Sequence, residues 1–290
     1  MKTVLITGCS SGFGLLAAKK LAARGDRVFA TMRDPFGKNR NAAEELVKLN
    51  IEVLDLDVTS ESSVETAAET MEREGGAPDV IINNAGQMFV GLIEAFTGEE
   101  LSNQLDVNIV GVHRVTRAFL PAMRKQSKGL FINISSIAGR LAIPFFAIYN
   151  ASKWAVEGYS LAARRELASV GVDVVVVEPG PFTTELFPQS PHPQDTEHRA
   201  KSYPDVFNET FEDMNSAFEG MFSNPEVPTD PAMVVDKFIE LIDMAPGTRP
   251  FRNVVGVDLG VTERNASDEV HDAPFLEAMH LAKFVKLQTN

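Results

Sequence analysis

The sequence predicts an α/β fold in which a doubly wound, seven-stranded parallel sheet carries helices on both faces and a helical lid insertion. Short apolar segments of strand length alternate with longer segments of helical periodicity along most of the chain. A glycine-rich turn separates the first apolar segment from the first helical one, as in Rossmann-like sheets. No linker, repeat or low-complexity block interrupts the chain before residue 185. We therefore expect a single domain over residues 1–290, with the lid at residues 185–230.

The individual elements follow from these apolar patterns. Strands buried on both faces of a parallel sheet are short and continuously apolar, as in Val4-Leu5-Ile6 and Val80-Ile81-Ile82. Strands are predicted at residues 4–6, 27–31, 52–56, 80–82, 130–134, 172–177 and 251–257. Helices are predicted at residues 15–24, 39–49, 61–74, 101–125, 149–170, 205–222, 231–244 and 273–287, with Ser60 capping the third.

Composition and charge exclude several classes of protein. The chain of 290 residues is 44% apolar and 23% charged, as in an ordinary globular protein. A net charge of −13 argues against general binding to nucleic acids or anionic membranes. No apolar run has the length of a membrane span, and the start of the chain does not resemble a signal peptide. A single cysteine, Cys9, allows no intrachain disulfide and suits the reducing cytoplasm.

The glycine-rich turn predicts a site for a phosphorylated cofactor. Gly8, Gly12 and Gly14 lie between the first strand and the first helix. Gly8 permits a tight turn, Gly12 permits close approach of a phosphate, and Gly14 permits close packing of helix and strand. The helix N-terminus offers free N–H groups and a partial positive charge to a pyrophosphate. The alternative is an ordinary glycine-rich turn, but the strand–turn–helix context favours the cofactor.

The end of the second strand predicts which cofactor is bound. Folds that bind NAD usually place an acid here to contact the ribose 2′-hydroxyl, whereas this chain has Met32 followed by Arg33. An arginine pairs instead with the 2′-phosphate of NADP, and the hydroxyl of Ser11 could add a hydrogen bond. Lys38 and Arg40 supply further positive charge nearby. The alternative for Arg33 is a solvated loop residue.

Other strand ends also place polar or small residues where ligands collect in open α/β sheets. Asp57 and Val58 follow the third strand, and Asn84, Ala85 and Gly86 follow the fourth. The small residues would let a cofactor approach the backbone. Asn108 is a polar residue among apolar neighbours in a predicted helix, and its alternative is a satisfied core amide.

A third group of residues suggests chemistry on a carbonyl. Tyr149 and Lys153 are four apart and share one face of a predicted helix, and the end of the preceding strand would bring Ser136 to that face. A hydroxyl, a phenol and an ammonium could together polarise a carbonyl and transfer a proton to it. The pair alone is common by chance, and two ordinary helix-surface residues are the alternative.

The predicted lid carries an apolar stripe. Five residues recur at helical spacing over residues 205–222, namely Phe207, Phe211, Met214, Phe218 and Phe222. A helix packed on the core is the alternative, but an insertion after a carboxyl strand end is where a lid is expected. His192, Asp195 and His198 lack a further ligand at convincing spacing, so no metal site is predicted.

Together these residues resemble the short-chain dehydrogenase/reductase family, in its compact single-domain branch. The resemblance covers roughly the first two thirds of the chain. It is carried, in the family's order and spacing, by Thr7-Gly8-x-x-x-Gly12-x-Gly14, Asp57, Asn83-Asn84-Ala85-Gly86, Asn108, Ser136, Tyr149-x-x-x-Lys153, Pro179-Gly180 and Thr184. The glycine turn and residues 30–34 are most similar to the 17β-hydroxysteroid and retinol dehydrogenase subgroup. Phe13 is a mild departure, because the family usually has an aliphatic residue there.

The resemblance implies a role for each catalytic residue. Ser136, rather than Ser135, would hydrogen-bond the carbonyl oxygen of the substrate, and Tyr149 would exchange its proton with that oxygen. Lys153 would bind the nicotinamide ribose and lower the pKa of Tyr149, and Asn108 would hold a water that links Lys153 to solvent. The implied cofactor-binding set is Gly8, Ser10, Ser11, Gly12, Phe13, Gly14, Arg33, Asp57, Val58, Asn84, Ala85, Gly86, Tyr149, Lys153, Pro179, Phe182 and Thr184.

The expected function is that of an NADP(H)-dependent oxidoreductase that interconverts a ketone or aldehyde with an alcohol. The phenylalanines of the lid, with Met88, Phe89, Ile143, Phe145 and Phe146 near the same rim, predict a bulky apolar substrate. The alternatives are an NAD-dependent alcohol dehydrogenase of the same family and a cofactor-binding regulator without turnover. The resemblance also implies a homodimer or homotetramer built on the helices that contain Asn108 and Tyr149.

Overall fold

Seven parallel strands form the centre of the molecule, which the computed structural model describes for residues 1–281, 284 and 287. The strands are β1 (Thr3–Ile6), β2 (Arg27–Met32), β3 (Glu52–Asp55), β4 (Val80–Asn83), β5 (Gly129–Ile134), β6 (Val172–Pro179) and β7 (Arg252–Val255). They lie in the order β3-β2-β1-β4-β5-β6-β7, and every neighbouring pair is parallel. The prediction of a doubly wound, seven-stranded parallel sheet is confirmed. The order reverses beside β1, where such sheets bind ligands.

Helices cover both faces of the sheet. They are α1 (Gly12–Ala23), α2 (Arg40–Lys48), α3 (Glu61–Gly75), α4 (Gly98–Leu105), α5 (Gly111–Lys125), α6 (Ala147–Ala168), α7 (Thr196–Arg199), α8 (Asp205–Ser223), α9 (Ala232–Asp243) and α10 (Val261–Ala278). Helices α1, α2 and α9 contribute to one buried apolar cluster, and α3, α5 and α6 to the other. Within the described part of the chain, no helix has both the length and the apolar character needed to cross a membrane.

The continuous apolar runs of the strands are explained by burial on both faces. Val4 and Ile6 belong to the cluster beneath α1, while Leu5, between them, belongs to the cluster beneath α3 and α5. All three side chains are completely buried. Successive side chains of a strand point to opposite faces, so a strand covered on both sides shows no alternation of apolar and polar residues.

Two predicted helices differ from the structure. The helix predicted at residues 101–125 consists of α4, a π-helical turn at Asp106–Val110, and α5. The helix predicted at residues 273–287 is wrong, because α10 begins at Val261 and ends at Ala278. The chain turns at His280, whose φ of 59° is left-handed, and the N–H of Leu281 bonds back to the carbonyl of Leu276 at 2.7 Å. Residues 282, 283, 285 and 286 of that prediction lie outside the described residues.

The segment between β6 and α9 forms a helical insertion at the carboxyl end of the sheet. Its two ends lie side by side, since the N–H of Thr183 donates to the carbonyl of Thr229 at 3.2 Å. Helix α8 has no buried residue along its length, whereas Phe211, Met214 and Phe218 pack against an apolar cluster at the sheet edge. Helix α8 therefore rests on the domain through one apolar face, while Arg199 and Tyr203 before it bond the carboxylate of Glu94.

The packing of Gly14 generates a prediction about stability. A Cβ at this position would lie 2.4 Å from the carbonyl oxygen of Gly8 and 2.5 Å from Nδ2 of Asn84. Because α1 would have to move away from the turn, we expect Gly14→Ala to lower the free energy of unfolding by about 1–3 kcal/mol. Urea denaturation measures the change. Gly98→Ala is the control, since nothing lies within 4 Å of its Cβ position, and equal stability of the two variants would contradict the packing.

Candidate active site

A cavity of about 580 Å³ lies at the carboxyl edge of the sheet, beside the ends of the six strands β1 to β6. Its volume is within the usual range for small-molecule sites. The predicted site residues that line it are Gly8, Ser10, Ser11, Gly12, Phe13, Arg33, Asp57, Val58, Asn84, Ala85, Gly86, Ser136, Tyr149, Lys153, Pro179, Phe182 and Thr184. Gly14 and Asn108 do not line the wall and lie behind it.

The glycine-rich turn is held tightly against the end of β4. Gly8 has a φ of 73°, and a Cβ there would lie 2.8 Å from Cα of Ala85. The hydroxyl of Thr7 accepts hydrogen bonds from the N–H groups of Asn84 and Ala85, each at 3.0 Å. Nδ2 of Asn84 donates back to the carbonyls of Thr7 and Gly8 at 2.9 and 3.1 Å. Only glycine at position 8 fits this contact, so the turn is fixed before any ligand arrives.

The start of α1 fits a pyrophosphate. Its first turn contains no acidic residue, and Ser11, at the N-cap, makes no side-chain capping bond. Ser10, Ser11 and Gly12 line the cavity there. Free N–H groups, a positive helix end and two hydroxyls form a suitable anion site. Phe13, the departure from the family pattern, packs edge-on against Phe182 with ring centroids 5.6 Å apart.

The wall beyond β2 is positively charged. Arg33, Lys38 and Asn39 line it, and Arg33 is exposed. The nearest acid in sequence, Asp34, does not line the cavity, because its Oδ2 accepts the N–H of Lys38 at 2.7 Å within the loop. The place of a ribose-binding acid is therefore taken by an arginine and a lysine.

The end of β3 forms the neighbouring part of the wall. Asp57 and Val58 both line the cavity. Oδ1 of Asp57 accepts the N–H of Thr59 at 2.9 Å and its hydroxyl at 2.7 Å. The carboxylate thus fixes its own loop, while Val58 presents an apolar surface suited to one face of an adenine ring.

Tyr149 and Lys153 lie on α6, and both line the cavity. Both residues are buried, and Nζ of Lys153 lies 5.7 Å from the centroid of the Tyr149 ring. The ammonium donates to the carbonyl of Ile134, the last residue of β5, at 2.8 Å. Ser136 follows two residues later, and its hydroxyl accepts the N–H of Ala138 at 3.1 Å. The strand end and the helix face therefore bring the three predicted catalytic residues together, with Ser135 beside them.

Burial governs the protonation of both side chains. It raises the pKa of Tyr149 to about 12, with Ser136 acting in the opposite direction. It lowers the pKa of Lys153 to about 8, opposed by the negative charge of Glu157. Desolvation of a buried phenol favours its neutral form, and the expectation that Lys153 lowers the pKa of Tyr149 stays a prediction.

Asn108 lies in the π-helical turn, behind the catalytic wall. Nδ2 donates to the carbonyl of Gln87 at 2.9 Å and to Oγ of Ser152 at 3.0 Å, and Oδ1 accepts the N–H of Gln87 at 2.9 Å. The hydroxyl of Ser152 in turn donates to the carbonyl of Tyr149 at 2.7 Å. Asn108 therefore connects the segment after β4 to the catalytic helix, and its role in holding a water stays a prediction.

Sequence reasoning missed Asn150, which holds one wall of the site in place. Nδ2 of Asn150 donates to the carbonyls of Ala138 and Leu141, both at 2.7 Å, and its Oδ1 accepts the N–H of Ile143 at 3.2 Å. These bonds fix the loop that follows Ser136. A buried asparagine next to Tyr149 was the available signal, but its partners are defined only by the folded loop.

The far end of the cavity is apolar. It is lined by Met88, Ile143, Phe146, Leu186, Phe187, Phe218 and Phe222. The rings form a chain of contacts: Phe146 lies 6.3 Å from Tyr149 and 6.2 Å from Phe218, which lies 5.2 Å from Phe187. Phe207, at the other end of the predicted stripe, is exposed and packs on Tyr203 instead. In residues 1–281, 284 and 287, no group of three or more His, Cys, Asp or Glu side chains could hold a metal ion.

Comparison with known proteins identifies the family. The family model for short chain dehydrogenases matches residues 2–195. A 3-ketodihydrosphingosine reductase from Bacteroides thetaiotaomicron is 44% identical over 181 residues, which are 62% of this chain and 64% of that protein. An NADPH-dependent pterin aldehyde reductase from Arabidopsis thaliana is 40% identical over 64% of this chain and 76% of its own length. Human retinol dehydrogenase 8 is 38% identical over 64% of this chain and 60% of its own length.

Solved structures agree over more of the chain. A short-chain dehydrogenase from Streptomyces avermitilis superposes with a TM-score of 0.77 at 30% identity, covering 97% of this chain and 98% of that one. The actinorhodin polyketide ketoreductase, solved with NADPH, superposes with a TM-score of 0.70 at 27% identity over 87% of this chain and 94% of its own. The chain belongs to the short-chain dehydrogenase/reductase family of oxidoreductases.

Proposed function

We propose that the chain is an NADP(H)-dependent oxidoreductase that interconverts a ketone or aldehyde with an alcohol on a bulky apolar substrate. The observation that carries the proposal is the position of Ser136, Tyr149 and Lys153 on the wall of one cavity that also contains the glycine-rich turn. A hydride carrier bound along the turn and a carbonyl at the phenol would then meet in the same space.

In this proposal each catalytic residue acts on the carbonyl oxygen or supports the group that does. When bound, the reduced nicotinamide supplies the hydride that the carbonyl carbon receives. The hydroxyl of Ser136 hydrogen-bonds the carbonyl oxygen and orients it. The phenol of Tyr149 donates its proton to that oxygen, and the ammonium of Lys153 stabilises the tyrosinate that forms. Asn108 acts as a positioning residue through Ser152 and Gln87.

The choice of NADP(H) rests on the wall beyond β2. Arg33 and Lys38 lie there, and Asp34 is bound within its own loop. A guanidinium pairs well with a phosphate dianion, whereas an NAD site would need an acceptor for the ribose hydroxyl. The Arabidopsis relative is named as NADPH-dependent, and the ketoreductase was solved with NADPH, so both support NADP(H) as the cofactor.

The choice of substrate rests on the aromatic end of the cavity and on the insertion above it. We propose that residues 185–230 act as a lid whose phenylalanines cover the substrate. Burial of each such side chain against an apolar ligand is worth about 1.5–3 kcal/mol, so an apolar substrate stabilises the closed arrangement. The relatives named for a keto-sphingoid base and for retinol support a bulky apolar substrate.

Two alternatives differ from this proposal in testable ways. An NAD-dependent alcohol dehydrogenase would not depend on Arg33, and a cofactor-binding regulator would show no turnover with any carbonyl compound. The cytoplasmic location and the homodimer or homotetramer stay predictions. The half-exposed Trp154 and Val110, on the helices that the family resemblance assigns to the contact, suit such an assembly.

Removal of the phenol hydroxyl tests the proposed chemistry. We expect Tyr149→Phe to lower kcat for carbonyl reduction by about 100- to 10,000-fold, because the general acid is lost. Consumption of NADPH with a panel of ketones and aldehydes measures this. Tyr159→Phe is the matched control, because Tyr159 lies on α6 with Tyr149 but does not line the cavity. Its hydroxyl lies 3.2 Å from Nδ1 of His113. Near wild-type reduction by Tyr149→Phe would refute the mechanism.

Removal of the guanidinium tests the cofactor. A hydrogen bond to a charged group is worth about 1.5–3 kcal/mol, so we expect Arg33→Ala to raise the Kd for NADPH by about 10- to 100-fold. The Kd for NADH should stay unchanged. Cofactor fluorescence titration measures both constants. Arg40→Ala serves as the control, because Arg40 pairs with Glu44 at 2.7 Å and does not line the cavity. NADH binding as tightly as NADPH, with neither Kd changed by Arg33→Ala, would favour the NAD-dependent alternative.

A further inference from the structure

A buried cluster of charged groups lies beneath the catalytic helix, on the side of Lys153 that faces away from the cavity. Glu157 is one helical turn after Lys153 on α6, and Glu178 is the penultimate residue of β6. Arg252, on β7, lies two residues before the partner of Glu178 in the strand register, so the two side chains share a face of the sheet. Both carboxyl groups are buried, and neither lines the cavity.

Each carboxyl group has one bonded oxygen and one unpaired oxygen. Oε2 of Glu157 accepts from Nε of Arg252 at 3.0 Å, and Oε2 of Glu178 accepts from Nδ2 of Asn265 at 2.7 Å. Within the described residues, Oε1 of Glu157 and Oε1 of Glu178 have no hydrogen-bond partner. If both carboxyl groups are ionised, burial of these two unpaired oxygens is unfavourable in free energy, because no hydrogen-bond donor compensates their desolvation.

A proton on Glu178 would remove a buried charge whose desolvation is not compensated. Among the described residues, Glu157 accepts a hydrogen bond from the guanidinium of Arg252, whereas Glu178 accepts one from the neutral amide of Asn265. Arg140 is connected to Glu178 through Asn265, because its Nε donates to Oδ1 of Asn265 at 2.8 Å, and its other end pairs with Asp268. Burial and the neighbouring charge of Glu157 both raise the pKa of Glu178.

The cluster also acts on Lys153. Burial lowers the pKa of this lysine, and Glu157 opposes the shift. Its ammonium otherwise has the neutral carbonyl of Ile134 as its hydrogen-bond partner. Among the described residues, the charged and titratable groups of this cluster are Lys153 and Glu157 on α6, Glu178 on β6, Arg252 on β7, Arg140 after Ser136, and Arg264 and Asp268 on α10.

We propose that Glu178 holds a proton at neutral pH and that the negative charge of Glu157 keeps Lys153 protonated during catalysis. Glu157 and Glu178 are then positioning residues, which act through Lys153 and touch neither substrate nor cofactor. The proposal rests on the proposed role of Lys153, so its test includes measurements that need no turnover.

The test compares three variants of the full-length chain. Glu157→Gln removes the charge beside Lys153 and keeps the shape of the side chain. Glu178→Gln removes the titrating proton but leaves Glu157 with Arg252. Asp173→Asn is the matched control, because Asp173 is an equally buried carboxylate on β6 that pairs with Arg249 at 3.2 Å, far along the strand from Lys153.

Two readouts are independent of activity. In the infrared spectrum at neutral pH, we expect the C=O stretch of a buried protonated carboxyl in the wild type and in Asp173→Asn, and its loss in Glu178→Gln. NMR titration of the lysine carbons, with Lys153 assigned by Lys153→Arg, should show the pKa of Lys153 lowered by about one unit in Glu157→Gln. The control should leave that pKa unchanged.

The third readout is the pH profile of carbonyl reduction. The alkaline limb should move to lower pH by about one unit in Glu157→Gln, move less in Glu178→Gln and stay in place in Asp173→Asn. Absence of the protonated-carboxyl band in the wild type would overturn the protonated state of Glu178. An unchanged Lys153 titration in Glu157→Gln would overturn its effect on the lysine. If the wild type reduces no carbonyl compound, the proposed function fails, and the two spectroscopic readouts still decide this proposal.

Discussion

The burial of a phenol and an ammonium on one helix face is the constraint on which the site depends. Tyr149 and Lys153 are both removed from water, and an unpaired buried ammonium is strongly unfavourable. The end of β5 therefore supplies the carbonyl of Ile134, and the helix itself supplies Glu157 one turn below. The adjacent Ser136 follows the same strand end. One strand and one helix thus define the catalytic geometry, and the parallel sheet brings the glycine-rich turn to the same edge.

Much of the fold and of the site was predictable because the signals are local. Continuous apolar runs specify strands buried on both faces, and Gly8 and Gly14 occupy contacts that no side chain could enter. A glycine between a predicted strand and a predicted helix marks such a contact in the sequence. Tyr149 and Lys153 were identified from their spacing because i and i+4 share a helix face. The polar, unpatterned start of α10 was missed because no apolar stripe marks it.

What was not predictable depends on contacts between distant segments. Gln87 and Asn150 hold the walls of the site through backbone carbonyls that only the folded loops bring within reach. Glu157 and Glu178 are unremarkable in sequence and become a buried pair only when β6 lies beneath α6. The rise in the pKa of Tyr149 was not predictable either, because spacing reveals a neighbouring charge but does not reveal how deeply a side chain is buried.

The central claim is that Tyr149 is a proton donor that burial keeps neutral in the cofactor-free protein. The difference in tyrosinate absorbance between the wild type and Tyr149→Phe, measured as pH rises, tests it most directly. Without cofactor, burial raises the pKa of Tyr149 to about 12, so no difference should appear at the ordinary tyrosine pKa of about 10. Saturation with NADP⁺ should move the midpoint to lower pH. A midpoint below about 10 in the cofactor-free protein would contradict the account.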